Sequence, residues 1–163
     1  MSDLVNIKLI IEEGWPDITV FIKSGERSEE VEGIISAIES YSDKRMPKIS
    51  AYFRDSMVML PQSQIIRIFV DSRKVMAQTS ERLYEVKMSL RQLEELLDAS
   101  RFVRISQSEI INIRRMKSFD FSTAGTIGVE LDNGDSTWVS RRRVKSVKDA
   151  LTGKSGKQQE GLE

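Results

Sequence analysis

The sequence predicts a mainly β fold of the α+β kind: packed antiparallel strands with short helices, preceded by a small strand-strand-helix segment. Three observations predict it. Short apolar runs recur between turn signals along residues 49–139. Asp132-Asn133-Gly134-Asp135 is a strong tight-turn signal, because Asn-Gly accepts the positive φ angles of a type I′ turn. Ser89 stands three residues before Gln92, the spacing of a capping box, ahead of a Leu90, Leu93, Leu96, Leu97 stripe.

The elements follow in order. Val5, Ile7, Leu9 and Ile11 alternate with mostly polar neighbours, as do Ile18, Val20 and Ile22, and Gly14-Trp15-Pro16-Asp17 separates the two runs. Together they read as a hairpin with a longer loop. Ser28 is the N-cap expected for a helix whose Glu29, Glu30 and Glu32 suit its positive end and whose Val31, Ile34, Ile35, Ile38 and Tyr41 share a face. The polar stretch 42–48, with Pro47, reads as a junction. Beyond it, Ile49–Phe53 and Met57–Leu60 form one expected hairpin. Ile65–Val70 and Val75–Thr79 form another, with Arg73 and Lys74 at its tip. Leu83–Val86 is a further strand, then the capped helix. Phe102–Ile105 is extended, Ser106-Gln107-Ser108 a turn, and Glu109–Arg115 has room for one short helical turn. Strands at Lys117–Phe121, Thr126–Leu131 and Thr137–Val139 lead to a last helix capped by Ser140, with Val144, Val147 and Leu151 on one face. Residues 152–163 read as a disordered tail.

Composition narrows the function. At 39% hydrophobic and 31% charged, the 163 residues are those of a globular chain, and no apolar run is long enough to span a bilayer. Asp3 and the lack of a basic-then-apolar start give no signal peptide, so a cytoplasmic location is expected. There is no Cys and no His. This removes disulfides, thiolate or imidazole metal sites and Cys-His or Ser-His nucleophiles, so no cofactor, no metal and no catalytic residue is expected. The strongest carboxylate spacing, Glu94-Glu95 with Asp98, is the polar face of a capped helix, and an enzyme is the least favoured class. The net charge is zero but uneven. Residues 1–60 hold 7 Lys/Arg against 11 Asp/Glu, and residues 61–150 hold 16 against 12. An acidic front and a basic back permit an anionic partner.

Three clusters are candidates for contacting it. Ser140-Arg141-Arg142-Arg143 puts cations at a helix start, where the dipole disfavours them, which suits an anion bound there. The alternative is a solvated charged face. Arg73-Lys74 is a basic hairpin tip, a pattern also common on ordinary surfaces. Ser106-Gln107-Ser108, following Arg104 and backed by Asn112, Arg114 and Arg115, has side chains able to bond base edges or phosphates. The alternative is a polar turn held by its own side chains, and Asn112 is expected to be structural.

In order along the chain, these clusters resemble the LytTR family of bacterial DNA-binding domains. The resemblance runs over roughly 50–151. Ile65–Thr79 is similar to the family's opening strand, turn and strand. Ser89-Leu90-Arg91-Gln92-Leu93-Glu94-Glu95-Leu96-Leu97 is similar to its S-L-x-x-L-E-x-x-L helix. Phe102–Asn112 is similar to its F-x-R-I-H-R-S-x-I-V-N signature. Leu131-Asp132-Asn133-Gly134 with Val139-Ser140-Arg141-Arg142 is similar to its L-x-N-G…V-S-R-R ending. The resemblance implies a transcription regulator that reads duplex DNA through loops in successive major grooves. By family analogy its DNA-facing positions are Arg73 and Lys74, Ser106, Gln107 and Ser108, and Arg141 and Arg142. The alternative function is a protein-binding β module without DNA activity. The family's His-Arg is replaced here by Ser106-Gln107, and glutamine suits adenine rather than guanine or phosphate.

The domain organisation expected is 1–46 as a strand-strand-helix dimerisation or regulatory segment, 47–151 as the DNA-binding domain, and 152–163 as the tail. Some 46 residues are too few for a phosphate-receiving domain, and in this the chain resembles the compact LytTR regulators. The resemblance implies repeated double-stranded DNA sites and control by a small inhibitory membrane protein. The apolar faces of a segment too small to stand alone suit a homodimer or a bound inhibitory partner, the alternative being that the segment packs on the β domain as structural cover.

Overall fold

The computed structural model describes residues 5–14, 18–121 and 125–152. The chain divides into two compact units, residues 1–36 and 37–163. In the first, the two alternating runs do not form strands. Residues 5–12 and 18–23 have no strand pairing, and Ile7, Ile11 and Ile18 are 91%, 84% and 93% exposed. A two-stranded ribbon with neither face covered is marginal, and alternation alone does not supply the missing layer. The expected helix forms as α1 (Glu29–Arg45), with Glu29, Glu30 and Glu32 in its first turn and Lys44 and Arg45 in its last, both favoured by the helix dipole. Ser28 Oγ accepts from Val31 N at 3.4 Å as its cap. The helix runs on through Ser42 and Asp43, so the polar stretch that reads as a junction is helical as far as Arg45.

The described residues of the second unit contain ten strands: β1 (Ile49–Phe53), β2 (Ser56–Leu60), β3 (Arg67–Asp71), β4 (Lys74–Gln78), β5 (Leu83–Val86), β6 (Phe102–Ser106), β7 (Glu109–Asn112), β8 (Met116–Asp120), β9 (Ile127–Leu131) and β10 (Ser136–Val139). It also holds the last part of α1, from Ala37, and two further α-helices, α2 (Leu90–Leu96) and α3 (Val144–Leu151). Seven strands form one sheet in the order β2-β1-β5-β4-β3-β7-β6, and β10-β9-β8 form a second. Every pairing is antiparallel. The mainly β expectation holds, and so does the capping box: Gln92 N donates to Ser89 Oγ at 3.1 Å and Ser89 N to Gln92 Oε1 at 3.0 Å.

The turn at Asn133-Gly134 forms, but not as a type I′ turn. Only Gly134 has a positive φ, +88°. Asn133 Oδ1 accepts from Asp135 N at 3.0 Å, which holds Asn133 out of the left-handed region and leaves that conformation to the glycine. Ser140 precedes a single 3-10 turn, Arg141–Arg143, rather than capping an α-helix, and its hydroxyl makes no capping bond. The tail at 153–163, the Trp15-Pro16-Asp17 break and Thr123-Ala124 lie outside the described residues.

Two cores lie on the two faces of the large sheet. Ile65, Ile68, Ala77 and Ile110 pack with Leu90, Leu93 and Leu97, the stripe read from the sequence, on one side. Ile66, Ile105 and Ile111 pack with Ile127, Val129 and Leu131 of the small sheet and Val147 of α3 on the other. The consecutive pair Ile110-Ile111 of β7 supplies one residue to each core, as strand geometry requires, and Ile65-Ile66, just before β3, divides between the two cores as well.

Buried polar side chains pin the junctions. Asn112 is 1% exposed. Its Nδ2 donates to Ile65 O at 2.9 Å and its Oδ1 accepts from Arg114 N at 3.0 Å, opening the 3-10 turn Ile113–Arg115. The structural role and the short helical turn expected here are both present. Gln62, also 1% exposed, donates to Pro47 O and Leu96 O and accepts from Asp98 N, closing the end of α2. Arg101, 1% exposed, bonds Asp43 of α1 at 2.5 Å, with Asp98 at 3.5 Å. Replacing Asn112 by Ala leaves Ile65 O without its buried donor and Arg114 N without its acceptor. We expect a loss of about 1–3 kcal/mol, read by thermal unfolding as a fall in Tm of several degrees. An unchanged Tm would contradict this role.

Candidate nucleic-acid interface

The three clusters singled out in the sequence meet at one end of the large sheet, although they are far apart in the chain. β3 pairs antiparallel with β7, Phe69 opposite Glu109, so the β3–β4 and β6–β7 hairpins point their turns the same way. Val70 N donates to Ser108 O at 2.9 Å, joining the two hairpins next to their tips. Ser140 N donates to Ile105 O at 2.8 Å, which fixes the start of the arginine turn beside the β6 end of the same loop.

The β3–β4 tip is a two-residue loop, Ser72-Arg73, between Asp71 and Lys74. Both loop residues have positive φ, 48° and 66°. A two-residue hairpin loop favours this twist, and it favours Asn-Gly there rather than Ser-Arg. Left-handed backbone costs a non-glycine residue roughly 1–2 kcal/mol. Arg73 is exposed and has no ion-pair partner among the described residues, whereas Lys74 Nζ lies 3.2 Å from Glu85.

The β6–β7 tip holds itself together. Ser106 Oγ accepts from Ser108 N at 3.2 Å and lies 3.4 Å from Ser108 Oγ. Arg104 donates through Nε to Ser106 O at 2.9 Å, through one terminal nitrogen to Gln107 O at 2.6 Å, and through the other to Glu94 of α2 at 2.8 Å. The self-bonded turn is therefore present, and it is compatible with display: Gln107 is exposed, and its amide has no partner among the described residues.

At the third point Arg141 and Arg142 are exposed and Arg143 is half-buried. The 3-10 turn sets all three ahead of α3, which begins at Val144. Arg143 belongs instead to a cleft of about 240 Å³ whose lining includes Glu94, Leu97, Phe102, Arg104 and Ser146.

Carboxylates neutralise several cations elsewhere in the chain. Arg67 bonds Glu109 at 3.2 Å, Asp135 at 3.3 Å and Gln78 at 2.5 Å. Arg115 lies 2.6 Å from Asp132, and Lys117 lies 3.2 Å from Glu130. The hydrogen bond and then the charge of Lys117, with help from Ser118, hold the Glu130 carboxyl below its ordinary value. In the front unit, Arg27 acts likewise on Glu32. Arg73, Arg141 and Arg142 have no such carboxylate among the described residues, and unneutralised cations at one end can meet a polyanion.

Reading the sequence did not find the Arg67–Glu109–Asp135–Gln78 network, in which Gln78 Nε2 donates to Asp135 at 2.8 Å, or the role of Arg104. Arg67 and Asp135 are 68 positions apart, and no local pattern links them. Arg104 leaves one local trace, an arginine just before a turn whose carbonyls it can reach.

The LytTr DNA-binding domain family model matches residues 55–152. Uncharacterized HTH-type transcriptional regulators from two Staphylococcus aureus strains are each 26% identical over 149 residues, with 91% of this chain and 99% of each relative covered. The fold also matches the LytTr DNA-binding domain of a protein described as a methyl-accepting/DNA response regulator from Bacillus cereus. That match has a TM-score of 0.62 at 24% identity and covers 64% of this chain and 96% of that one. Here α2 and α3 are separated by β6–β10, so the described residues contain no two α-helices joined by a short turn.

The double substitution Ser72→Asn with Arg73→Gly gives the loop its preferred residues. We expect it to raise stability by roughly 0.5–1 kcal/mol, seen as a higher urea midpoint at unchanged m value. A lower midpoint would show that the present pair suits the loop.

Proposed function

This chain belongs to the LytTr DNA-binding domain family, and on that premise we propose that it is a bacterial transcription regulator that binds specific duplex DNA sequences through three loops entering the major groove. The observation that carries the reading is the convergence of Arg73, Gln107, Arg141 and Arg142 on one end of the sheet, joined by the Val70–Ser108 and Ser140–Ile105 backbone bonds. The arginines supply phosphate contacts or bidentate bonds to guanine, and Gln107 supplies the amide pair that suits adenine. Lys74, Ser106 and Ser108 stand beside them as further phosphate donors.

The same reading covers the partners. Repeated sites suit a homodimer, and Val5, Ile7, Leu9, Ile11, Ile18 and Phe21, exposed in the single chain, support a role for the front segment in dimerisation or in holding a small inhibitory membrane protein. DNA binding sets the cytoplasm as the place of action. A second reading, a β module that binds protein, is favoured by Trp138 and Phe121, 58% and 55% exposed on the small-sheet side.

Titration of a duplex at two salt concentrations separates the two. DNA binding predicts a steep fall in affinity with salt, with a slope of about −0.9 per phosphate contact. The β module predicts no duplex affinity. We further expect Arg142→Ala to weaken binding to a duplex selected from a random pool by roughly 5- to 150-fold, with the melting temperature retained. Undiminished affinity in Arg142→Ala would remove Arg142 from the interface.

A further inference from the structure

We propose that Arg104 is a positioning residue for base reading, which fixes the backbone of Gln107 without touching DNA. The inference rests on the reading of Gln107 as a base contact. Arg104 is the one arginine in the β6–β7 hairpin, and its side chain is 17% exposed. All three guanidinium nitrogens are engaged, on Ser106 O, Gln107 O and Glu94. The planar fork makes these directions interdependent: holding Glu94 orients the guanidinium, and the oriented guanidinium holds two successive carbonyls. The register between β6 and β7 shifts between Arg104 and Ser106, so regular pairing does not define the backbone there. Arg104 bonds the two carbonyls on the loop side of this shift.

Glu94 is itself well placed. It lies on α2, which is anchored by the Ser89–Gln92 capping box and by Leu90, Leu93 and Leu97 in the core. A chain of contacts therefore runs from a rigid helix through Glu94 and Arg104 to Gln107. A base-reading amide makes two directional bonds, so a fixed backbone raises discrimination more than affinity. Arg104 contrasts with Arg73, which has no such bonds among the described residues.

The test uses the full chain, a duplex selected by it from a random pool, and single-base-pair variants of that duplex. Arg104→Lys, Glu94→Gln, Gln107→Ala and the double variant Arg104→Lys with Gln107→Ala are compared for affinity on each duplex and for salt slope. We expect Arg104→Lys and Glu94→Gln to lose about fivefold or more of the discrimination, at the same base pairs where Gln107→Ala loses it. Their salt slope stays at the wild-type value, and the double variant discriminates no worse than Gln107→Ala. Should Arg104→Lys lower the melting temperature strongly, Glu94→Gln carries the test, since it loosens the guanidinium from a partly exposed helix position. A uniform loss on all duplexes with a shallower salt slope would make Arg104 a phosphate contact and overturn the proposal. A loss additive with that of Gln107→Ala, or no loss, would also overturn it while leaving the reading of Gln107 intact. If Gln107→Ala itself changes discrimination nowhere, the reading of Gln107 fails, and the positioning role with it.

Discussion

The antiparallel pairing of β3 with β7 is the contact on which the rest of the molecule depends. It joins two hairpins some forty positions apart in sequence, Arg67 opposite Ile111 and Phe69 opposite Glu109, and aligns their tips. It also builds the part of the sheet that is covered on both faces. Ile65 and Ile110 face α2, and Ile66 and Ile111 face the small sheet and α3. Asn112, buried at the end of β7, ties this pairing to Ile65 and turns the chain toward the small sheet. Sliding β7 by one residue would exchange the two cores and separate Val70 from Ser108.

The polar groups around this frame divide into those that hold it and those that it displays. Arg67, Arg101, Arg104 and Arg115 face carboxylates, and Arg101 does so in near-complete burial, where an unpaired cation would be costly. Arg73, Arg141 and Arg142 are exposed at one end without carboxylates among the described residues. Two of them occupy backbone that local energetics disfavours for them. Arg73 takes a left-handed conformation better suited to glycine, and Arg141 belongs to a run of three cations just before the positive end of α3. Local rules broken at neighbouring positions are what a surface shaped for a ligand would show, and they support the polyanion contact proposed above.

Much of this was legible in the sequence. Short alternating runs, the Ser89-x-x-Gln92 box and the turn residues are local signals, and the strands and α2 they specify are present. Three features were not legible, each for a physical reason. The front runs alternate like strands, but strand formation needs a covered face that residues 5–12 and 18–22 lack in the single chain. The type I′ geometry lies at Ser72-Arg73 and not at Asn133-Gly134, because hairpin register decides which loop has two residues. The second-layer roles of Arg104, Arg67, Gln62 and Arg101 depend on partners brought close by the fold, and composition cannot show them. The candidate clusters could be named from residue types. Their shared location needed the β3–β7 pairing.

Backbone amide chemical shifts followed by NMR during titration with a selected duplex test the common surface most directly. We expect the largest changes to cluster at Ser72–Lys74, Ser106–Ser108 and Ser140–Arg142, three segments responding together, while the β1–β2 hairpin at the opposite edge of the sheet stays unperturbed. Changes centred on β1–β2 or on the Trp138 face, with the three loops silent, would contradict it.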